Sequence, residues 1–304
     1  MWLRSKKKVP QIHDGDIDRI VGQMNTRRMF LSDRHVKVIS PGGFPYEAYN
    51  GKAHVTPWSI LHMLEFSRDV FFSRNTPSDQ CFLDIDKICH NRLMFMAYTS
   101  TKVWPNLYDH SVCKNPLELH SELINVGKTS FGIKTSIGIE KLDLPLCENF
   151  VQPVLIDKTT RKPTMPPEWW IEKYSKGLEG KGSLRLSRHA VPERGASHRY
   201  QTKISASDLD SFWHANWSSY LKFSYNALVD YTMSKHDHGN IASAFRQSKQ
   251  FSLLYLQETN LNDTLDIDLW EDPEHSNLFK FQFYKGSDVV CESQIELYPT
   301  EPDE

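Results

Sequence analysis

Long apolar runs, an excess of one charge and closely paired cysteines are all missing from this sequence of 304 residues. No window approaches the roughly 20 apolar residues that a membrane-spanning helix needs, so we expect no membrane span. The formal net charge of -2 argues against nucleic acid or an anionic membrane as a partner. The basic start, Met1 to Lys8, is not followed by an apolar stretch, and we therefore do not expect it to be a secretory signal.

The cysteines and histidines predict neither a disulfide framework nor a metal site. The five cysteines show no two-residue spacing typical of zinc or redox centres: Cys81, Cys89, Cys113, Cys147 and Cys291. Reduced thiols favour an intracellular location, with the cytoplasm first and an organelle still open. The stretch His236-Asp237-His238 has no second ligand pair, so we interpret it as a solvated loop and expect no metal.

The order of elements predicts an α+β chain built from two similar halves. We divide it into a polar N-terminal segment (1–30), a first domain (31–173), a linker rich in Gly, Ser, Lys and Arg (174–198) and a second domain (199–304). Each domain begins with a short strand and a turn, continues with one apolar helix and ends with several strands. A local similarity between His54-Val55-Thr56-Pro57-Trp58-Ser59 and His214-Ala215-Asn216-Trp217-Ser218 gives weak support for duplication.

Spacing and turn residues set the bounds of these elements. Helices are predicted over Thr56 to Phe72, with Thr56 as the cap, and over Trp217 to Met233; weaker helical character runs from Asp16 to Met29. In the first half the predicted strands are 35–39, 92–98, 117–126, 130–139 and 150–156. In the second half they are 200–204, 250–257, 264–270, 278–284 and 289–298, with Gly286 in a hairpin turn.

The most informative stretch for function runs from Asp208 to Asn216, immediately before the second helix. It places carboxylates, an imidazole and an amide where a loop becomes a helix. The first N–H groups of a helix carry partial positive charge and can stabilise an oxyanion, while a nearby carboxylate can activate water. The same acids can also serve only as turn and capping residues. The chemistry of the residues leaves both interpretations open.

The pattern Asp-x-Asp-x-x-x-His-x-Asn before an aromatic helix resembles the signature of hot-dog acyl-thioesterases, of the 4-hydroxybenzoyl-CoA and plant acyl-ACP types. The plant enzymes carry Asp-Leu-Asp-Val-Asn-Gln-His-Val-Asn-Asn at this point. Downstream, Tyr255 to Leu265 resembles the strand on which that family carries a Glu-Cys pair, and Phe150 to Asp157 with the Pro-rich turn after it resembles the long last strand of acyl-CoA thioesterases. The resemblance extends from about His35 to Pro299.

The resemblance implies tandem hot-dog domains, each with a long central helix wrapped by a curved antiparallel sheet. It implies Asp210 as the catalytic carboxylate, His214 as its partner and Glu258 as a supporting acid or base. It also implies substrate contacts by Asn216, Trp213 and Trp217 at the start of the second helix, and by Thr259 in the downstream stretch Tyr255 to Leu265. The substrate would be an acyl-CoA or acyl-carrier-protein thioester, and no cofactor would be needed. Association of copies through outer sheet faces stays open.

The sequence departs from the family pattern at four positions in these two stretches. Phe212 stands where the plant enzymes have a catalytic Asn, and Trp213 where many relatives have Gly. Trp217 replaces the second Asn of the usual pair, and Thr259 replaces the Cys. Two bulky aromatics beside the site are expected to narrow or block the pocket, so an inactive hot-dog protein that binds acyl groups or a protein partner is the alternative.

A rival site is predicted in the first half. Some hot-dog enzymes place an acid on the central helix, where Glu65 lies, and His54 just before that helix could be its partner. An acid on a largely apolar helix is costly to bury without a partner. His54 with Glu65 or Glu258 would suit a dehydratase or hydratase acting on acyl thioesters, a third and less favoured function.

Overall fold

The computed structural model of the protein describes residues 14–73, 80–139, 145–178, 184, 186–192, 195–235 and 245–299. These residues divide into two compact units, and neither unit is one continuous stretch of chain. The first unit contains the described residues up to Phe44, with His62–Thr99 and His110–Arg185; the second contains Pro45–Leu61, Ser100–Asp109 and the described residues from Leu186 onward. The boundaries 31–173 and 199–304 stay a prediction.

Five helices and eleven strands form the framework of the described residues. The helices are α1 (Asp14–Gln23), α2 (Pro57–Phe72), α3 (Ile85–Ile88), α4 (Glu168–Tyr174) and α5 (Trp217–Lys235). The strands are β1 (Arg27–Ser32), β2 (His35–Ser40), β3 (Arg92–Val103), β4 (Leu117–Val126), β5 (Phe131–Gly138), β6 (Cys147–Asp157), β7 (His198–Lys203), β8 (Ser248–Tyr255), β9 (Thr264–Glu271), β10 (Leu278–Lys285) and β11 (Asp288–Leu297). None of the described helices is long and apolar enough to cross a membrane.

In the first unit, antiparallel strands lie in the order β1-β2-β4-β5-β6. Strand β4 alternates between buried and more exposed side chains, and its Leu117, Leu119 and Leu123 enter the core. Arg28 on β1 closes the end of α2, because its guanidinium donates hydrogen bonds to the carbonyl oxygens of Val70, Phe71 and Ser73 at 3.1, 3.1 and 2.6 Å. These bonds satisfy carbonyl groups that the last turn of a helix leaves without partners.

In the second unit, antiparallel strands lie in the order β8-β11-β10-β9-β7. Gly286, at a φ of 62°, makes the turn between β10 and β11. Helix α5 packs on the same sheet, and the buried hydroxyls of Ser224 and Ser293 lie 2.6 Å apart across this contact. This packing fixes the position and orientation of α5 on the sheet, and thereby the position of the loop that precedes the helix.

The predicted α+β class is confirmed, and most predicted elements appear within a few residues of their expected bounds. One local prediction is wrong: helical character does not continue to Met29, because α1 ends at Gln23 and β1 begins at Arg27. Arg28 pairs with Val38 of β2 in this strand. The local sequence pattern could not predict this strand, because a short segment without apolar alternation adopts its conformation through pairing with a neighbouring strand.

Candidate active site

The loop before α5 is anchored by Asp208, whose side chain is buried. Its Oδ2 accepts a hydrogen bond from the N–H of Ser205 at 2.8 Å, and its Oδ1 forms an ion pair with Lys222 of α5. Burial by itself would raise the pKa of Asp208, but the hydrogen bonds from Lys222 and Ser205 outweigh it and hold this pKa below its ordinary value. Asp208 is therefore an ionised anchor that ties the loop to the helix.

Asp210 organises the turn that follows. Its Oδ1 accepts hydrogen bonds from the N–H groups of Phe212 at 2.8 Å and His214 at 3.2 Å. Its own N–H donates to the carbonyl of His214 at 2.8 Å, and its carbonyl accepts from the N–H of Trp213 at 3.1 Å. Asp favours such turns because its short side chain reaches backbone N–H groups two residues on. The turn brings the backbone of His214 directly against Asp210.

His214 also lies against the segment that follows β8. Its Nε2 is 3.5 Å from Oε2 of Glu258, and both side chains are partly buried. The backbones of His214 and Asn260 form an antiparallel bridge, and the N–H of Ala215 donates to the carbonyl of Thr259 at 2.9 Å. The structure thus brings the three residues predicted as catalytic, Asp210, His214 and Glu258, onto two adjoining segments of the second unit.

Asn216 caps the start of α5. Its Oδ1 accepts from the N–H of Ser218 at 2.8 Å and from the hydroxyl of Ser218 at 2.6 Å. Its carbonyl accepts from the N–H of Ser219 at 2.9 Å, and its own N–H donates to the carbonyl of Asp208 at 2.7 Å. The amides of Asn216, Ser218 and Ser219 therefore have acceptors within the protein. These three amides are therefore already used within the protein, although the sequence suggested that amides at the start of this helix could bind a substrate oxygen.

The four residues around the turn that depart from the family pattern differ in burial. Thr259 is fully buried, and its Oγ1 lies 2.7 Å from the hydroxyl of Tyr220 on α5. Trp217 is buried as well, and its carbonyl accepts from the hydroxyl of Tyr255 at 2.9 Å. Phe212 and Trp213 are 59% and 50% exposed. These two aromatics are therefore largely exposed at the surface, and their effect on a pocket stays a prediction.

The rival residues of the first half lie in different compact units. His54, in the second unit, has its Nε2 3.3 Å from Nε2 of Gln247 and packs edge-on against Tyr108. Glu65, in the first unit, lies one helical turn before Asp69 on α2. Burial, with a smaller contribution from the negative charge of Glu65, raises the pKa of Asp69 to about 7. Sequence reasoning missed Asp69, although two acids four residues apart on an apolar helix were a usable signal.

A groove of about 590 Å³ lies elsewhere in the second unit, lined among others by Val191, Ser197, His198 and Asp268. His198 Nε2 is 2.7 Å from Oδ2 of Asp230 on α5. Asp230 stands about 20 Å along the helix from Asn216, at a rise of about 1.5 Å per residue. The groove is therefore separate from the cluster at the start of α5.

No group of three or more His, Cys, Asp or Glu side chains within the described ranges could hold a metal ion. The stretch His236-Asp237-His238 lies outside the described residues. All five cysteines are free thiols.

Comparisons with known proteins place the fold. No protein-family model and no curated protein sequence matches the chain. An acyl-ACP thioesterase from Bacteroides thetaiotaomicron matches with a TM-score of 0.58 at 14% identity, over 94% of this chain and 100% of that one. A 12:0-ACP thioesterase from Umbellularia californica matches with a TM-score of 0.60 at 12% identity, over 90% of this chain and 98% of that one. The predicted fold is thereby confirmed: this chain has the tandem hot-dog fold of these two thioesterases.

Proposed function

We propose that this protein hydrolyses acyl thioesters, releasing a carboxylic acid and a free thiol. The observation that carries the proposal is the position of His214 between two carboxylates, with its backbone N–H 3.2 Å from Asp210 Oδ1 and its ring 3.5 Å from Glu258 Oε2. The fold shared with two acyl-ACP thioesterases supports the same reaction class. Acyl-CoA and acyl-carrier-protein thioesters are the proposed substrates.

In the proposed reaction, Asp210 is the general base. Two backbone N–H groups donate to its Oδ1, and these bonds hold the carboxylate in a fixed orientation in the turn. Asp210 takes a proton from water as the water oxygen bonds to the thioester carbonyl carbon. The C–S bond then breaks, the proton passes from Asp210 to the departing sulfur, and the products are an acid and a thiol. The reaction consumes only water and requires neither a metal nor an organic cofactor.

His214 is proposed to stabilise the oxyanion. The amides of Asn216, Ser218 and Ser219 already have acceptors, so the proposal uses the imidazole as the donor. In the protonated imidazole both ring nitrogens are donors, so one can face Glu258 while the other faces the carbonyl oxygen.

The same proposal includes three finer expectations. Substrate contacts by Asn216, Trp213, Trp217 and Thr259 remain proposals, with Thr259 and Trp217 acting from buried positions. An intracellular location, in the cytoplasm or an organelle, is supported by the five free thiols. Association of copies through an outer sheet face would be compatible with the fold.

A second candidate function is acyl binding without hydrolysis. The exposed aromatics favour it, since Phe212 and Trp213 immediately precede His214 and offer apolar surface rather than polar groups. In this case Asp210 would act only as the turn residue described above.

Free-thiol release from short, medium and long acyl-CoA and acyl-carrier-protein substrates tests the proposal. Asp210→Asn is expected to lose turnover, because an amide cannot accept the proton. Asp230→Asn is the matched control: it changes a carboxylate on α5 itself, far from the cluster, and should keep wild-type rates. A wild-type rate for Asp210→Asn would reject Asp210 as the base. Tight acyl-CoA binding with no thiol release from any substrate would favour the second candidate.

A further inference from the structure

The turn that carries Asp210 has a second copy in the same compact unit. Residues 46–56 and 206–216 both belong to the second unit, the former just before α2 and the latter just before α5. Ala53 and Trp213 have the same place in the two turns, and their φ values of 58° and 65° lie in the left-handed region, which costs energy for a residue with a Cβ. Each turn is closed by an isolated antiparallel bridge. The bridged pairs are Tyr49 with Val55 and Leu209 with Ala215.

Asn50 has the place in the first turn that Asp210 has in the second. Its Oδ1 accepts hydrogen bonds from the N–H groups of Lys52 at 2.9 Å and His54 at 3.1 Å. Its own N–H donates to the carbonyl of His54 at 2.9 Å, and its carbonyl accepts from the N–H of Ala53 at 2.8 Å. Asp210 forms the same four bonds between the same relative positions. The two turns therefore share one backbone conformation and one way of holding it.

The two turns differ in their chemistry. An asparagine in place of an aspartate keeps the Oδ1 acceptor that the turn needs, but its other side-chain group is an Nδ2 amide, which is a hydrogen-bond donor. Lys52 stands in the first turn where the second turn has Phe212. Asn50 cannot take a proton from water, so it cannot act as the general base proposed for Asp210. A donor amide in the same turn as a lysine suits an anion instead.

A buried hydroxyl on α5 indicates a ligand at the first turn. Tyr225 is 3% exposed, and its hydroxyl has no hydrogen-bond partner in the part of the chain that the structure describes. Burial raises the pKa of Tyr225 to about 12, and the nearby side chain of Asn50 opposes this shift. The hydroxyl is therefore protonated at neutral pH and can donate a hydrogen bond. A buried polar group without a partner costs free energy, which a bound ligand would recover.

Two partly exposed aromatic rings flank Tyr225. The ring of Trp58 lies 5.5 Å from it, edge-on, and the ring of Phe245 lies 6.4 Å from it. On the other side of the turn, Nε2 of His54 lies 3.3 Å from Nε2 of Gln247, which holds the turn against the segment before β8. The first turn thus combines hydrogen-bond donors with apolar rings, which is the usual composition of a small-molecule site.

We propose that the turn before α2 is a second site, which binds the carboxylate of a small monocarboxylic acid through Asn50 Nδ2 and the hydroxyl of Tyr225. The apolar part of the ligand lies against Trp58, and Lys52 adds positive charge to the turn. The site goes beyond the proposed function, because its ligand is bound and not hydrolysed. One turn geometry then serves two chemistries, with a carboxylate base in one copy and an amide donor in the other.

Binding of hexanoate tests the proposal, with hexanol as a probe of the same chain length without the charge. Affinity is measured by calorimetry, and thermal melting is recorded with and without the probe. The test variant Asn50→Asp keeps the Oδ1 acceptor of the turn and replaces the amide donor by a carboxylate. Tyr225→Phe removes only the buried hydroxyl. The matched control is Asn91→Asp, the same change at an exposed asparagine of the first unit.

We expect the wild type to bind hexanoate with a dissociation constant on the order of 1 mM and to melt at a higher temperature in its presence. Asn50→Asp and Tyr225→Phe should each lose about tenfold in affinity, while Asn91→Asp should match the wild type. Hexanol should bind more weakly than hexanoate by about tenfold. Unchanged hexanoate binding in Asn50→Asp, equal binding of hexanol, or no saturable binding to the wild type would each overturn the proposal.

Tyr225→Phe keeps the proposal falsifiable if Asn50→Asp does not fold. Without a ligand this variant should melt no lower than the wild type, because it loses a buried polar atom that has no partner. A lower melting temperature would show that the hydroxyl is bonded within the protein, and the proposal would fail. Thiol release is not among the measurements, so the outcome does not depend on Asp210 being the base.

Discussion

Two substitutions of Asp210 should separate its structural contribution from its chemical one. The Oδ1 atom accepts two backbone hydrogen bonds, at 2.8 and 3.2 Å. Each such bond contributes about 1 kcal/mol net, and water compensates part of this loss in an exposed turn. Asp210→Ala should therefore lower the free energy of unfolding by about 1–2 kcal/mol. Asp210→Asn keeps an Oδ1 acceptor and should stay within about 0.5 kcal/mol of the wild type.

The two Asp210 variants should differ in stability but not in activity. Neither asparagine nor alanine can take a proton from water, so both variants should lose about 10²- to 10⁴-fold in kcat, the usual contribution of a general base. Urea unfolding gives the stabilities, and thiol release from a long-chain acyl-CoA gives the rates. An asparagine variant as unstable as the alanine variant would refute the hydrogen-bond argument. An active asparagine variant would refute the chemical one.

Three further predictions concern stability. Burial by itself would raise the pKa of Asp84, but hydrogen bonds led by Lys173 outweigh it and lower this pKa to about 2. The stabilisation by ionised Asp84 should be complete above about pH 4 and lost as the pH falls towards 2. In urea unfolding, Asp84→Asn should therefore lower the free energy of unfolding by about 2 kcal/mol at pH 7 and by little at pH 2. Thr259→Val should cost about 1–3 kcal/mol, because the buried hydroxyl of Tyr220 loses its partner, whereas Thr259→Ser should keep most of the stability in the same assay. At Trp213, with φ at 65°, the glycine variant should be about 1 kcal/mol more stable than the alanine variant in thermal melting, and equal stabilities would contradict the strain.

Local pattern was a good guide to most secondary structure. Strand β4 has the predicted bounds, Leu117–Val126, because its side chains alternate between core and outer face along the whole segment. Helix α5 begins at Trp217 as predicted and continues to Lys235, two residues further than expected. Strand β1 and helix α4 escaped prediction, since Arg27–Ser32 and Glu168–Tyr174 carry no strong period of their own. Their conformations depend on neighbours that are distant in sequence.

The sequence by itself determined the location of the candidate site, the turn from Asp208 to Asn216. This turn is specified locally, because Asp210 accepts its backbone hydrogen bonds and Asn216 caps the helix that follows. Only the tertiary structure decided the environment of each group. Glu258 lies near His214, and Thr259 near Tyr220, because the segment after β8 runs beside the turn before α5. Such long-range pairs depend on sheet register and helix packing, which are set by the whole core rather than by nearby residues.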